Sequence, residues 1–190
     1  MLRILANLSS CIARIEGVVI RIIAIALPLM ILTNAAGRAV RSPIYWMDEL
    51  AILTMVWMAM IGMSLTLKTR DSVSVTMLVD MVPASLMKTM RIVTDVLVLA
   101  FGVILFALSY QWFDPVALIR VNFDTHLFSG DTFNFIYEDT TNTLGIKKFW
   151  FWLVIPWVSF TIIIHGLSNL IQTLRTPASS LSSISNVTAE

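Results

Sequence analysis

The chain has 190 residues, of which 57% are hydrophobic and 13% charged, and its mean hydropathy is +0.83. An average soluble domain carries about 25% charged residues and sorts its apolar side chains by helix or strand period, so a soluble globular enzyme and a disordered chain are both excluded. Thirteen Lys and Arg against twelve Asp and Glu leave a net charge of +1, which offers no basic surface for nucleic acid.

About 20 helical residues at about 1.5 Å rise are needed to cross a hydrocarbon core of roughly 30 Å. Four apolar blocks meet that length, at roughly 18–36, 50–67, 92–112 and 149–171. The expected fold is therefore an all-α integral membrane protein, with a four-helix membrane domain over residues 1–175. The first block carries Arg21 one turn inside its start, where a long side chain can snorkel to the interface. A signal peptide competes for this block, but Arg14, Glu16 and Arg21 leave no compact basic start and Pro28 interrupts the run. Pro28 and Pro156 lie within spans and are expected to kink their helices.

The connection from Asp71 to Lys88 is too short and polar to span and is expected to lie along the cytoplasmic surface. The outer connection, 113–148, is long and rich in Asp, Asn, Thr and aromatic residues, so partial order is expected there. The serine-rich tail, 176–190, has the composition of a disordered cytoplasmic end. An even number of spans puts both termini on one side. Arg3, Arg14, Lys68, Arg70, Lys88, Arg91 and Arg175 favour the cytoplasm for that side. Trp46, Trp112, Trp150 and Trp152 then gather at the outer boundary, where amphipathic rings prefer the headgroup level.

Moving a charged solute through lipid requires polar groups at membrane depth, and the spans offer few. Asp95 is one turn after Arg91 and is expected to form a local ion pair. Asp48 and Glu49 open the second span, where a helix N-terminus favours anions and Arg38 and Arg41 are near enough to neutralise them. Ser64, Thr66, Thr94, Ser109, Ser159 and Thr161 are scattered rather than aligned on one face.

Catalytic constellations such as G-x-S-x-G and H-E-x-x-H, and phosphate-cradling glycine loops, do not occur. Cys11 stands alone, and His126 and His165 are far apart. Catalytic, cofactor and metal sites are all expected to be absent. What remains is a packing surface: Trp57, about 16 Å deeper than Trp46 along the helix, with Gly62 and Met55, Met58, Met60 and Met63 around it.

Asn34 with Arg38 four residues on, Pro43, Trp46 followed by Asp48 and Glu49, then Trp57 and Gly62 form an ordered set. The stretch from Asn34 to Pro83 resembles the small membrane subunit of tripartite ATP-independent periplasmic (TRAP) transporters. Arg70, Asp71, Ser72 and Val73 depart from the Gly-x-His element usual in that family. The resemblance implies a multi-pass inner-membrane subunit, with a large permease subunit and a periplasmic substrate-binding protein as partners beside membrane lipid. It also implies secondary active uptake of an organic acid, driven by an ion gradient.

Within that resemblance, Asn34, Arg38, Trp46, Asp48, Glu49, Trp57 and Gly62 are candidate subunit-interface or interfacial anchors. Asp114, Asp124, Asp131, Glu138 and Asp139 in the outer connection are candidate contacts to the binding protein. The rival reading from another class is a self-contained small channel or holin-like oligomer, which requires a polar stripe along one span.

Overall fold

A computed structural model describes residues 2–69 and 84–177. The sequence expectations for 70–83 and for the tail beyond 177 lie outside these residues. Among the described residues, four helices are long and apolar enough to cross a membrane. They are built from α1 (Leu2–Ala39), α2 (Tyr45–Thr69), α3 (Ala84–Phe113), and the pair α6 (Phe149–Trp152) and α7 (Val154–Arg175), while two short helices, α4 (Pro115–Arg120) and α5 (Thr125–Thr132), lie in the outer connection.

The first helix is longer than its apolar block. It begins at Leu2, ahead of Arg3, Arg14 and Glu16, and its assignment runs unbroken through Pro28. Hydropathy finds only the part of a helix that lipid requires, whereas the helix itself continues wherever packing supports it. Near Pro156 the ladder is interrupted at Leu153, which separates α6 from α7 although Leu153 keeps helical torsions (φ −58°, ψ −17°). Pro156 has no N–H to offer the carbonyl of Trp152 four residues back. The adjacent Phe151 carbonyl is taken up instead by the indole N–H of Trp57, at 2.8 Å.

Helix α7 is the centre of the bundle: it packs on α3 and α2, and α1 lies mainly on α2 with a smaller contact to α7. Half of the most apolar stretch of the last span is buried inside the protein, against 6% for the first. The buried face of α7 is rich in small and polar side chains, among them Ser159, Thr161, His165, Gly166, Asn169 and Thr173. Lipid is as apolar as leucine, so membrane helices associate through close backbone approach and hydrogen bonds rather than hydrophobic burial.

The crossing of α3 over α7 follows that rule. A Cβ on Gly102 would come within 2.9 Å of Ile162 Cγ2 and 3.3 Å of the Ile163 nitrogen, and one on Gly166 within 3.4 Å of Leu99 Cα. At the hairpin between α1 and α2, Gly37 likewise lets the Ser42 carbonyl oxygen approach to 2.8 Å of where a Cβ would stand. Around α7 the apolar core comprises Ile61, Val154, Val158 and Ile162, with Trp57, Met60 and Met63 of α2 against it.

The outer connection folds into a cap. Phe113, Phe128, Ile136 and Tyr137 form a second buried cluster, packed by Leu118, Val121, Phe149 and Trp152. It also closes the end of α3, whose last carbonyls have no partner within the helix. Asn134 Nδ2 donates to the Trp112 carbonyl and the Tyr137 hydroxyl to that of Phe113, both at 2.6 Å. Burial, and then the charge of Asp114, push the Tyr137 phenol above its ordinary value, which keeps it a donor. An antiparallel bridge joins Thr140 and Lys147 beyond the cap.

Candidate functional site

Two polar clusters stand out in the apolar bundle, an outer one near the C-terminal end of α1 and an inner one along its N-terminal half. The outer one forms where the hairpin α1–α2 turns. Asp48 lies in the first turn of α2, where the helix N-terminus favours an anion. Its carboxylate accepts from Asn34 Nδ2 and from the Arg38 guanidinium, one turn apart on α1. The Asn34 amide oxygen in turn accepts the Ile44 N–H at 3.2 Å, which ties down the linker. The Arg38–Asp48 pair is solvated, with side chains 61% and 49% exposed. Such pairs contribute about 0–1 kcal/mol, so its role is to fix geometry.

Glu49, the next residue, points to a different element. Its carboxylate accepts the backbone N–H groups of Asn142 and Thr143 at 2.7 Å and of Leu144 at 3.3 Å, and the Thr143 hydroxyl at 2.6 Å. The adjacent acids therefore hold two other parts of the chain to α2: Asp48 holds α1, and Glu49 holds the turn between the two bridged residues Thr140 and Lys147.

The inner cluster is buried between α1, α2 and α7. Glu16 and His165 are 2% and 0% exposed. Glu16 accepts from the Ser64 hydroxyl at 2.8 Å and faces His165 Nε2 at 3.3 Å. Ser9 meets His165 Nδ1 and Thr161 meets Ser64, both at 2.8 Å. Glu16 precedes Asn34 by 18 residues on one helix, so the two clusters are about 27 Å apart along α1. Further toward the inner ends, Thr173 of α7 donates to buried Asp95 of α3 at 2.6 Å, and Asn169 donates to the Leu67 and Lys68 carbonyls at the end of α2.

The spans are thus less mute than their sequence suggests: a carboxylate placed before the first span sits inside the bundle, paired with a histidine from the last. Glu16 reads as a terminal charge because it precedes the apolar block. The signal that could have found it is periodic, since Ser9, Glu16 and Ile23 recur every seven residues and all three are buried. The hydroxyls divide by position. Ser64, Ser109, Ser159 and Thr161 are buried between helices, whereas Thr66 and Thr94 are exposed and bond back to carbonyls of their own helix.

The inner cluster is internally satisfied, while the outer one is open to solvent. Every buried side-chain nitrogen and oxygen among the described residues has a hydrogen-bond partner. No group of three or more His, Cys, Asp or Glu among them could hold a metal.

The other candidate residues fall in varied places. Trp57 is partly buried, bonded to Phe151, and lines an apolar cleft with Val19, Ile23, Leu53 and Trp150. Gly62 has no atom within 4 Å of where its Cβ would stand, so among the described residues no helix uses it for close approach. Trp46 and Trp150 are exposed, while Trp112 and Trp152 meet edge to face at 5.8 Å.

In the outer connection most acids are engaged locally. Asp114 caps α4 by accepting from the Ala117 N–H, and Asp124 caps α5 by accepting from those of His126 and Leu127. Glu138 pairs with His126, and Asp139 with Lys148 at 3.9 Å. Asp131 is exposed on α5.

Compared with known proteins, the chain matches the family model described as "Tripartite ATP-independent periplasmic transporters, DctQ component" over residues 27–176. No curated protein matches it. The matched stretch contains the outer clasp whole and the α2 and α7 sides of the inner cluster, and leaves Ser9 and Glu16 outside it.

Proposed function

The chain belongs to the DctQ family, the small membrane component of TRAP transporters, and from that premise we propose that it is a non-catalytic brace. It packs against the large permease subunit and widens that subunit's footprint in the inner membrane. Transport by this assembly is ion-gradient-driven uptake of an organic acid, with the solute delivered by a periplasmic binding protein and carried through the large subunit. Both termini face the cytoplasm and the cap over α3 and α7 faces the periplasm, in keeping with the tryptophans at that end.

The observation that supports this reading is the pairing of the inner cluster: each buried side-chain nitrogen and oxygen among the described residues has a hydrogen-bond partner within the chain. An elevator-like mover needs a part that stays still against lipid, and a bundle clasped at two levels of its first helix fits that part. Asn34, Arg38, Asp48 and Glu49 serve as the rigid outer corner, with Trp46, Trp57 and Gly62 on the helix that rises from it. Asp131, with Asp114, Asp124, Glu138 and Asp139 of the same outer connection, is the acidic set offered to the binding protein.

Uptake into proteoliposomes tests the brace. The large subunit with this chain, the binding protein and an ion gradient should accumulate solute, and the large subunit without this chain should not. Full uptake by the large subunit alone would remove the bracing role. Neutralising the outer acids should weaken docking of the binding protein; unchanged docking would remove that contact.

A further inference from the structure

The outward side of α1 carries an ordered apolar seam. Ile4, Leu8, Cys11 and Ile15 are all exposed, and they are spaced alternately by four and three residues. The same alternation continues up the helix through exposed Val18, Ile22, Ile25, Leu29 and Leu32. This 3.5-residue period is the seam of a helix that packs against another helix along its length. It is separate from the side α1 turns to its own bundle, where Ser9, Glu16 and Ile23 are buried.

Lipid does not account for the whole seam. Helix α1 has 38 residues and is about 57 Å long, or about 54 Å along the membrane normal at an average tilt of about 20°. A bilayer with its headgroups measures about 40–45 Å. With Arg38 at one headgroup face, the turn bearing Ile4, 34 residues away, lies about 48 Å along the normal and so beyond the other face. Because the helix is unbroken from Leu2 to Ala39, this end cannot fold down to lie in the headgroup plane.

A second copy does not account for it either. Exposed Arg3, Arg14 and Arg21 flank the seam, and the one acid of α1, Glu16, is buried toward its own bundle. Two copies in one membrane orientation would pair these helices in parallel and bring like charges together, which disfavours that pairing.

We infer that this seam of α1, from Ile4 to Leu32, is the docking surface for a helix of the large permease subunit, one with a matching apolar stripe and an acidic rim at its inner end. The inference rests on the reading of the chain as a permease subunit and adds to it the face that meets the partner.

A photo-crosslinking residue placed at Ile4, Leu8 or Ile15, with controls at exposed Ile52 on α2 and Val103 on α3, tests it in membranes containing the whole transporter. The seam positions should crosslink to the large subunit and the controls should not. Alkylation of native Cys11 should be at least about tenfold slower when the large subunit is co-expressed than when it is absent, because thiol reactivity follows access. Seam crosslinks no stronger than the controls, an unprotected Cys11, or crosslinks to a second copy would each overturn the assignment while co-purification of the two subunits leaves the permease reading intact. Failure of the subunits to co-purify would overturn that reading and the assignment with it.

Discussion

Glu49 and Thr143, 94 residues apart in sequence, are joined twice: the Thr143 N–H and hydroxyl both donate to the same carboxylate oxygen, at 2.7 and 2.6 Å. With the amides of Asn142 and Leu144 they make the Glu49 carboxylate the anchor of the outer turn. Replacing Glu49 by Gln keeps the shape but turns one acceptor oxygen into a donor and removes the charge that strengthens all four bonds. Hydrogen exchange at residues 142–144 should quicken by about tenfold or more in this variant, while exchange within α7 stays as it was. Unchanged exchange in the turn would show that the bridge holds itself.

The inner cluster should be more sensitive than the outer one because it is dry. Glu16→Ala takes the carboxylate oxygens away from His165 Nε2 and the Ser64 hydroxyl, and a buried polar group left unpaired costs about 1–3 kcal/mol. Changing Glu16 and His165 together to apolar residues of similar volume should recover much of that loss. Denaturant or thermal unfolding of the purified protein in detergent measures both variants. Additive losses in the double variant would mean the two residues do not act as a pair.

Helix contact by glycine gives a third test. Gly102→Ala drives a methyl into Ile162 and the backbone of Ile163, and overpacking of this sort costs about 1–3 kcal/mol. Gly62→Ala meets nothing within 4 Å and should change the stability of the isolated chain by less than about 0.5 kcal/mol. The same unfolding measurement separates them. Equal effects would contradict the close crossing of α3 and α7.

Tyr137 links the cap to α3. Its phenol is raised above the ordinary value near 10 by burial and then by Asp114. A raised folded-state value means that its contribution to stability is fully present below about pH 10 and declines as pH rises through the higher folded value. Tyr137→Phe should remove that alkaline decline and, by leaving the buried Phe113 carbonyl unpaired, cost about 1–3 kcal/mol at neutral pH. An alkaline stability profile identical in both proteins would count against a buried, neutral phenol.

Much of the fold could be read from the sequence because lipid imposes a length. The apolar blocks at 50–67, 92–112 and 149–171 lie inside α2, α3 and the α6–α7 pair. The same criterion stopped short on α1, since Arg3, Arg14 and Glu16 end the apolar run although the helix continues to Leu2. Of the sites, the outer corner was legible in part: Arg38 was placed near the acids of α2, but Asn34 was not tied to Asp48, and nothing local tied Glu49 to a turn 94 residues away. The inner cluster stayed hidden for the same reason, since Glu16 and His165 are 149 residues apart and each looks unremarkable alone. Small residues showed where close approach is possible but not where it happens: Gly102 and Gly166 make the contact and Gly62 does not.

The central claim, that solute passes through the large subunit and not through this chain, is tested most directly by reconstituting the purified chain by itself in lipid vesicles. Solute flux and ionic current should then equal those of protein-free vesicles, with uptake arising only when the large subunit is included. A current or a solute flux carried by the chain alone would contradict the account.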